Sequence, residues 1–282
     1  MHLTSVLALT CVVGAGSFVA GLIGALTGLG GGVVLIPMLT LALGIDIRYA
    51  IGASLVSVIA TSSGAAAAYV REGYTNIRVA MFLEIATSCG AIFGAYLAGW
   101  IQTRWIGVVF GVVLLHSALT SLRKHQAGPR SAAPHSSLAT ALRLEGSYPA
   151  EHGMESYRAA GIPAGFGLMG LAGILSGLLG IGSGAVKVMA LDRAMKLPFK
   201  VSTTTSNFMI GVTAAASAGI YLGRGYVDPG LAMPVTLGVL AGALTGARLL
   251  ATAPVPKLRL LFAIVIGALA VEMIFNSLTG RI

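Results

Sequence analysis

Lys187 is an ammonium set inside an apolar run, three positions past Gly184. Near a bilayer centre such a charge costs at least ~2.5 kcal/mol on insertion scales, so it must face a partner or a cavity. It can contact an anion, pair with Asp192 on the neighbouring turns, or snorkel from a shallow position. With its charge suppressed it can also carry a proton. The run Ser202-Thr203-Thr204-Thr205-Ser206-Asn207, with Ser54 and Ser57 earlier in the chain, offers hydroxyls and an amide that donate to an oxyanion without neutralising it. Ser202 can equally be an N-cap, and membrane Ser and Thr often bond their own backbone. Glu84, Asp192 and Glu272 are carboxylates within apolar segments. Glu84 sits close to a segment end, where a loop arginine can pair with it, which leaves Asp192 and Glu272 as coupling candidates. His-Glu-x-x-His, paired-Cys and Gly-x-Ser-x-Gly patterns are absent, so the residues point to binding rather than catalysis, with no metal or cofactor implied.

Two glycine clusters belong with these residues: Thr27-Gly28-Leu29-Gly30-Gly31-Gly32 and Gly180-Ile181-Gly182-Ser183-Gly184. Each precedes an apolar segment of 11 residues, 33–43 and 185–195. That length makes ~16 Å of helix, about half of a ~30 Å hydrocarbon core. We therefore expect two re-entrant hairpins with glycine tips, where backbone N–H groups at the half-helix starts favour an anion. Gly90/Gly94 and Gly242/Gly246 have the four-residue spacing of close helix packing and no following break, so they read as packing glycines.

The elements that must hold these groups follow from composition. The chain has 282 residues, 56% hydrophobic and 10% charged, and a mean hydropathy of +0.89, which excludes a soluble globular enzyme. The net charge of +9 is spread over short loops rather than a basic stripe, so it reads as a topology signal and not as nucleic-acid binding. Cys11 and Cys89 lie in apolar runs, where a thiol acts as a small hydrophobe. The apolar run that opens the chain is longer than a signal-peptide core and is expected to stay. Tyr69, Tyr74, Tyr221, Tyr226, Trp100 and Trp105 read as interfacial belts.

The chain also matches itself. Residues 21–97 align without gaps to 173–249 at an offset of 152, with 21 identities in 77 pairs; this composition alone gives about a tenth. Five apolar segments per copy follow, at 4–27, 33–43, 49–70, 79–100 and 105–122, then 161–180, 185–195, 201–222, 229–251 and 258–277. Between them, 123–160 reads as a polar, partly disordered linker. An odd segment count inverts the second copy. With a cytoplasmic linker, thirteen Lys and Arg fall inside and only Arg48, Arg104, Arg224 and Arg281 outside. Without reversal at the short segments the split would be nine to eight.

Gly28-Leu-Gly-Gly-Gly-Val-Val-Leu-Ile-Pro37, Ala50-Ile-Gly-Ala-Ser54 and Gly90-Ala-Ile-Phe-Gly-Ala95, with their second-half counterparts, are similar to the TauE/SafE family of sulfite and organosulfur anion transporters. The resemblance covers nearly the whole chain outside the linker and implies bacterial or archaeal plasma-membrane transport of a small anion such as sulfite, sulfoacetate or another sulfonate. The second half departs from the family pattern, with Gly182-Ser183-Gly184, Met189 in place of proline, and Lys187 at the position of Leu35.

The expectation is an all-α polytopic membrane protein of two inverted five-segment repeats with broken, re-entrant hairpins: 1–122, a cytoplasmic linker at 123–160, and 161–282, with both termini outside. The function read from it is ion-gradient-coupled secondary transport; an anion channel of the same fold, a non-transporting membrane subunit and an intramembrane enzyme stay open as alternatives. Expected substrate contacts are Gly30, Gly31, Gly32, Ser54, Gly182, Ser183, Gly184, Lys187, Ser206 and Asn207, with Asp192 and Glu272 for coupling. The partners are a small-molecule anion and the lipid bilayer, not nucleic acid; a homo-oligomer stays open.

Overall fold

A computed structural model describes residues 2–27, 31–71, 73–122, 137–150, 153–250 and 255–280. Ten helices match the ten apolar segments: α1 (His2–Thr27), α2 (Gly32–Pro37), α3 (Ile47–Arg71), α4 (Ile77–Ala98) and α5 (Thr103–Leu122), then, after a short α6 (Ser137–Ala141), α7 (Ile162–Leu179), α8 (Gly184–Met189), α9 (Phe199–Gly223), α10 (Pro229–Leu250) and α11 (Val255–Leu278). Three of them, Ile77–Ala98, Ile162–Leu179 and the Pro229–Gly246 part of α10, are long and apolar enough to cross a membrane. The outer faces are apolar. Leu9, Met81, Phe93, Leu171, Leu237 and Phe275 are each more than half exposed, a surface that water would penalise and lipid accepts. This is a helical membrane protein.

Both short segments share an unforeseen form. After six α-helical residues each changes to a π-helix, at Met38–Ala42 and at Ala190–Ala194. The ends close alike, Ile45 N–H donating to Leu39 O and Leu197 N–H to Leu191 O, both at 3.0 Å. Pro37 alone does not cause the switch, since Met189 holds its place in the second segment. π-turns of this kind are rare and concentrate at functional sites.

Helix contacts run between the halves. α1 packs on α10, α4 on α7, α5 on α11, and α3 on α9. α3 and α9 are antiparallel: Gly52 lies against Tyr226 O, and Gly211 against Ser62. Three of the four glycines expected to be packing residues, Gly90, Gly94 and Gly242, are such. A Cβ on Gly90 or Gly94 would collide with the carbonyls of Gly170 and Ile174 on α7, and one on Gly242 with Phe18 O on α1. From the opposite partners, Gly173 and Gly177 abut Thr87 O and Ala91 O, and Gly21 abuts Val239 O. Backbones this close exchange dispersion contacts that larger residues would prevent.

The polar stretch between the halves carries structure that its composition did not announce. Besides α6 it forms an antiparallel hairpin of β1 (Gly146–Ala150) and β2 (Gly153–Tyr157). Residues 123–136 of the expected linker lie outside the described residues. Leu144 and Ala159 are buried in one apolar cluster with Val79, Leu83, Met195 and Leu197, so this stretch is packed onto one end of the α4–α7–α9 group. Asn76 fastens it: its side chain caps α4 at Val79 N–H (3.0 Å) while its Nδ2 donates to Leu144 O (3.3 Å) and Tyr157 Oη (2.8 Å).

Candidate functional site

The start of α2 meets the second break. Gly32, the first residue of α2, lies against the break between α7 and α8: a Cβ built there would stand 2.6 Å from Ser54 Oγ and 3.2 Å from Gly180 O. Gly32 therefore serves close approach of α2 to the second break. At the second break Gly180, Gly182 and Ser183 all take left-handed backbone conformations, with φ of 66°, 70° and 46°. Glycine adopts these freely, whereas the same turn at Ser183 is strained. Ser183 Oγ is buried without a hydrogen-bond partner and faces, with Val33, Ser117 and Val186, a cavity of about 20 Å³, room for one water. Of the expected contacts at the first tip, Gly30 lies outside the described residues, and Gly31 packs against Val239.

The long helices hold the second tip in place. Ser54 on α3 donates from Oγ to Gly180 O (2.9 Å), and Ser206 on α9 donates to Gly184 O (3.3 Å). Serines at equivalent positions of the repeat thus bind the two ends of the same break. Tyr221 belongs here too. It was expected in an interfacial belt, yet it is 2% exposed, and its hydroxyl donates to Gly177 O (3.1 Å), one of the last carbonyls of α7. Those carbonyls have no partner within the helix, and a buried donor supplies one. Trp100 and Trp105 are exposed, as belt residues are. Tyr226 meets Tyr49 edge to face at 5.5 Å, Tyr74 stacks toward Tyr148, and the Tyr69 side chain lies outside the described residues.

Lys187 is completely buried. It does not turn to Asp192 or snorkel outward: Nζ donates to Thr213 Oγ1 (2.5 Å) and Met209 O (3.3 Å) on α9. The Thr213 hydroxyl contacts Glu84 Oε1 on α4 at 2.7 Å, and Ser88 donates to the same oxygen at 3.0 Å. Glu84 is 8% exposed and its Oε2 is buried without a partner. An ammonium and a carboxylate are thereby joined through one hydroxyl. Sequence reasoning set Glu84 aside as a segment-end residue for a loop arginine, and the structure corrects this. Glu84 is the eighth residue of α4, ~10 Å along the helix, and its partners come from α9 and its own next turn.

The remaining expected residues lie outside the Lys187–Thr213–Glu84 set. Asn207 is half-buried beside Ser206. Ser202 is no N-cap; Pro198 holds that place in α9, and the Ser202 hydroxyl donates to Leu197 O (3.3 Å). Asp192 is half-buried in the second π-turn, and Glu272 is exposed on α11, where it lines a groove of about 460 Å³ with Val19, Val34 and Leu269. Neither belongs to the hydrogen-bonded set around Lys187.

Residues 13–273 match the family described as Sulfite exporter TauE/SafE. The chain belongs to that family. Its relatives include the probable membrane transporter protein YunE of Bacillus subtilis, 26% identical over 267 residues that cover 92% of this chain and 95% of the relative. YjnA of the same organism, also called a probable membrane transporter protein, is 30% identical over 241 residues, 83% of this chain and 87% of its own. A probable membrane transporter protein of Xylella fastidiosa is 26% identical over 273 residues, 95% of this chain and 96% of its own. No solved structure matches the chain. The TauE/SafE proteins are membrane transporters and not enzymes.

Proposed function

We propose that this TauE/SafE protein is a secondary transporter that moves a small oxyanion, sulfite or a sulfonate, across the plasma membrane, driven by an ion gradient. The observation that carries the reading is the packing of Gly32, at the start of α2, against the second glycine break, three residues past which stands a fully buried lysine. The site comprises Gly30, Gly31 and Gly32 from the first break, Gly182, Ser183, Gly184 and Lys187 from the second, and Ser54, Ser206 and Asn207 from the long helices that grip them. A buried cation supplies the charge, and hydroxyls and backbone N–H groups supply direction. The cavity beside Ser183, about 20 Å³, is too small for a sulfonate, so binding there requires the breaks to part.

Two inverted repeats, 1–122 and 161–282, joined by a cytoplasmic linker at 123–160, are part of the same proposal. What supports inversion is that equivalent helices α3 and α9 run antiparallel and that contacts exchange between halves: α1 with α10 answers α7 with α4. A two-fold axis in the membrane plane requires both. The short helices are then re-entrant hairpins from opposite faces.

The testing experiment is thermal stabilisation of the detergent-purified protein by sulfite, sulfate, thiosulfate, sulfoacetate, taurine and acetate, with Lys187→Ala alongside. Selective stabilisation by sulfur oxyanions that is lost in the variant is the expected outcome. Equal stabilisation of both proteins would remove Lys187 from the site.

A further inference from the structure

The charges are not shared between the halves. At the offset of 152 residues, Lys187, Thr213 and Glu84 correspond to Leu35, Thr61 and Thr236. The polar bridge Thr213 thus has an identical counterpart, while the cation and carboxylate face an aliphatic side chain and a hydroxyl. Thr61 bonds back to its own helix, at Ser57 O (3.0 Å). Among the described residues, one ammonium and one carboxylate are buried, and they stand on one side of the repeat relation.

The surroundings of Glu84 leave few other charges to consider. α7, packed along α4, has no titratable side chain. On α9, Lys200 lies over the Tyr74 ring at the helix end, and Tyr221 is engaged with α7. On α4 itself Arg78 and Cys89 are exposed, and beyond Lys187 the α8 segment continues with half-buried Asp192 and exposed Arg193. Within hydrogen-bonding reach Glu84 meets Thr213 and Ser88. Its free Oε2 is the one carboxylate oxygen there able to take a proton without breaking a bond.

We propose that Glu84 is the proton acceptor of transport, and that its carboxylate and the substrate compete for Lys187, so that one monovalent anion moves together with one proton. This rests on the reading of the chain as an anion transporter and deepens it. A proton from the aqueous side bonds to Glu84 Oε2 and takes the carboxylate from charge −1 to 0. The Lys187 ammonium is then uncompensated, and a sulfonate or hydrogensulfite of charge −1 restores neutrality. Release of both on the other side returns the carboxylate to Lys187 through Thr213. No electron moves, and the loaded and empty sites are equally neutral, which keeps the desolvation cost of crossing low in either direction. With Leu35 in the mirrored position there is no second cation, so the ratio is one to one.

Proteoliposomes loaded with a fluorescent pH dye test this with radiolabelled methanesulfonate and, separately, sulfite, each as an inward gradient. Methanesulfonic acid is strong, so the free acid carries no proton across the bilayer unaided. The wild type is expected to acidify the lumen by one proton per methanesulfonate, at a rate unmoved by a potassium–valinomycin voltage clamp. Glu84→Gln is expected to lose at least tenfold of the proton movement, with whatever anion movement remains independent of pH between 5.5 and 8.5. Glu84→Asp should restore the pH profile, and Lys187→Met should abolish flux of both species. Anion flux without protons in the wild type, or full proton stoichiometry in Glu84→Gln, overturns the proposal and leaves the transporter reading standing. No flux of either anion sinks both. Should Glu84→Gln fail to fold, calorimetric titration of the wild type with methanesulfonate at pH 7.5, in two buffers of different protonation heat, decides: one proton taken up per anion supports the proposal, and none overturns it.

Discussion

Thr213 carries more of this structure than its size suggests. Its hydroxyl accepts from a buried ammonium and lies 2.7 Å from a buried carboxylate, so one oxygen links two groups that the interior would otherwise reject. Thr213→Val keeps the shape and removes the oxygen, leaving both charges under-bonded, and is expected to destabilise the purified protein by roughly 1–3 kcal/mol. Thr213→Ser should recover most of that in a thermal melt, and a Val variant as stable as wild type would mean water replaces the hydroxyl. Ser183 makes the opposite case. A non-glycine residue at φ 46° stores strain, about 1 kcal/mol, at a place where a hydroxyl is buried unpaired. Ser183→Gly should therefore raise the melting temperature and weaken stabilisation by the anion that shifts the wild type most. A rise in stability with anion binding intact would make Ser183 a structural accident.

At the scale of elements, the helices were legible because each is an apolar run ended by glycine, proline or charge. The packing glycines were legible from their spacing. Two things were not. The π-turns depend on how residues 38–42 and 190–194 close against the start of the next helix, a geometry with no compositional mark. The Lys187–Thr213–Glu84 set joins residues 129 apart that come from different halves, so only the folded contact of α4 with α9 brings them together. Tyr221 was misassigned for a related reason: an aromatic near a segment end serves a belt or a carbonyl cap with the same sequence. The glycine seams predict their own sensitivity. Gly173→Ala places a methyl on Thr87 O and should cost roughly 1–3 kcal/mol through helix separation, and Gly21→Ala, its counterpart on α1, should cost the same. Unequal losses in detergent melts would show that the two seams do different work. The linker hairpin has a seam of another kind. Burial pushes the Tyr157 phenol above its ordinary value, only partly opposed by the Asn76 bond. The stability it lends is thus full at neutral pH and lost as pH rises through that raised value. Proteolysis of the hairpin should accelerate in this alkaline range in the wild type, while Tyr157→Phe, lacking the bond to Asn76, should be cut faster at neutral pH and show no alkaline step.

For the whole molecule, two ends can be told apart without reference to any membrane. At one, Asn76 bonds Leu144 and Tyr157, and Lys200 lies over Tyr74. At the other, Arg48 reaches Ile101 O (2.8 Å) and Arg224 reaches Ala95 O (3.0 Å). Tyr74 and Tyr226 are equivalent in the repeat, and they sit at opposite ends, as inversion demands. The linker end gathers the excess of Lys and Arg, and on that ground we propose that it faces the cytoplasm. In a Cys11→Ser, Cys89→Ser background, a membrane-impermeant maleimide added to intact cells should label Gln102→Cys and Asp228→Cys, and should reach Glu155→Cys and Lys196→Cys only after permeabilisation. All four positions are exposed. The reverse pattern would place the linker outside while keeping the two-fold relation. Labelling that separates Gln102 from Asp228 would break the relation itself, and with it the argument that two opposed hairpins meet at a shared site.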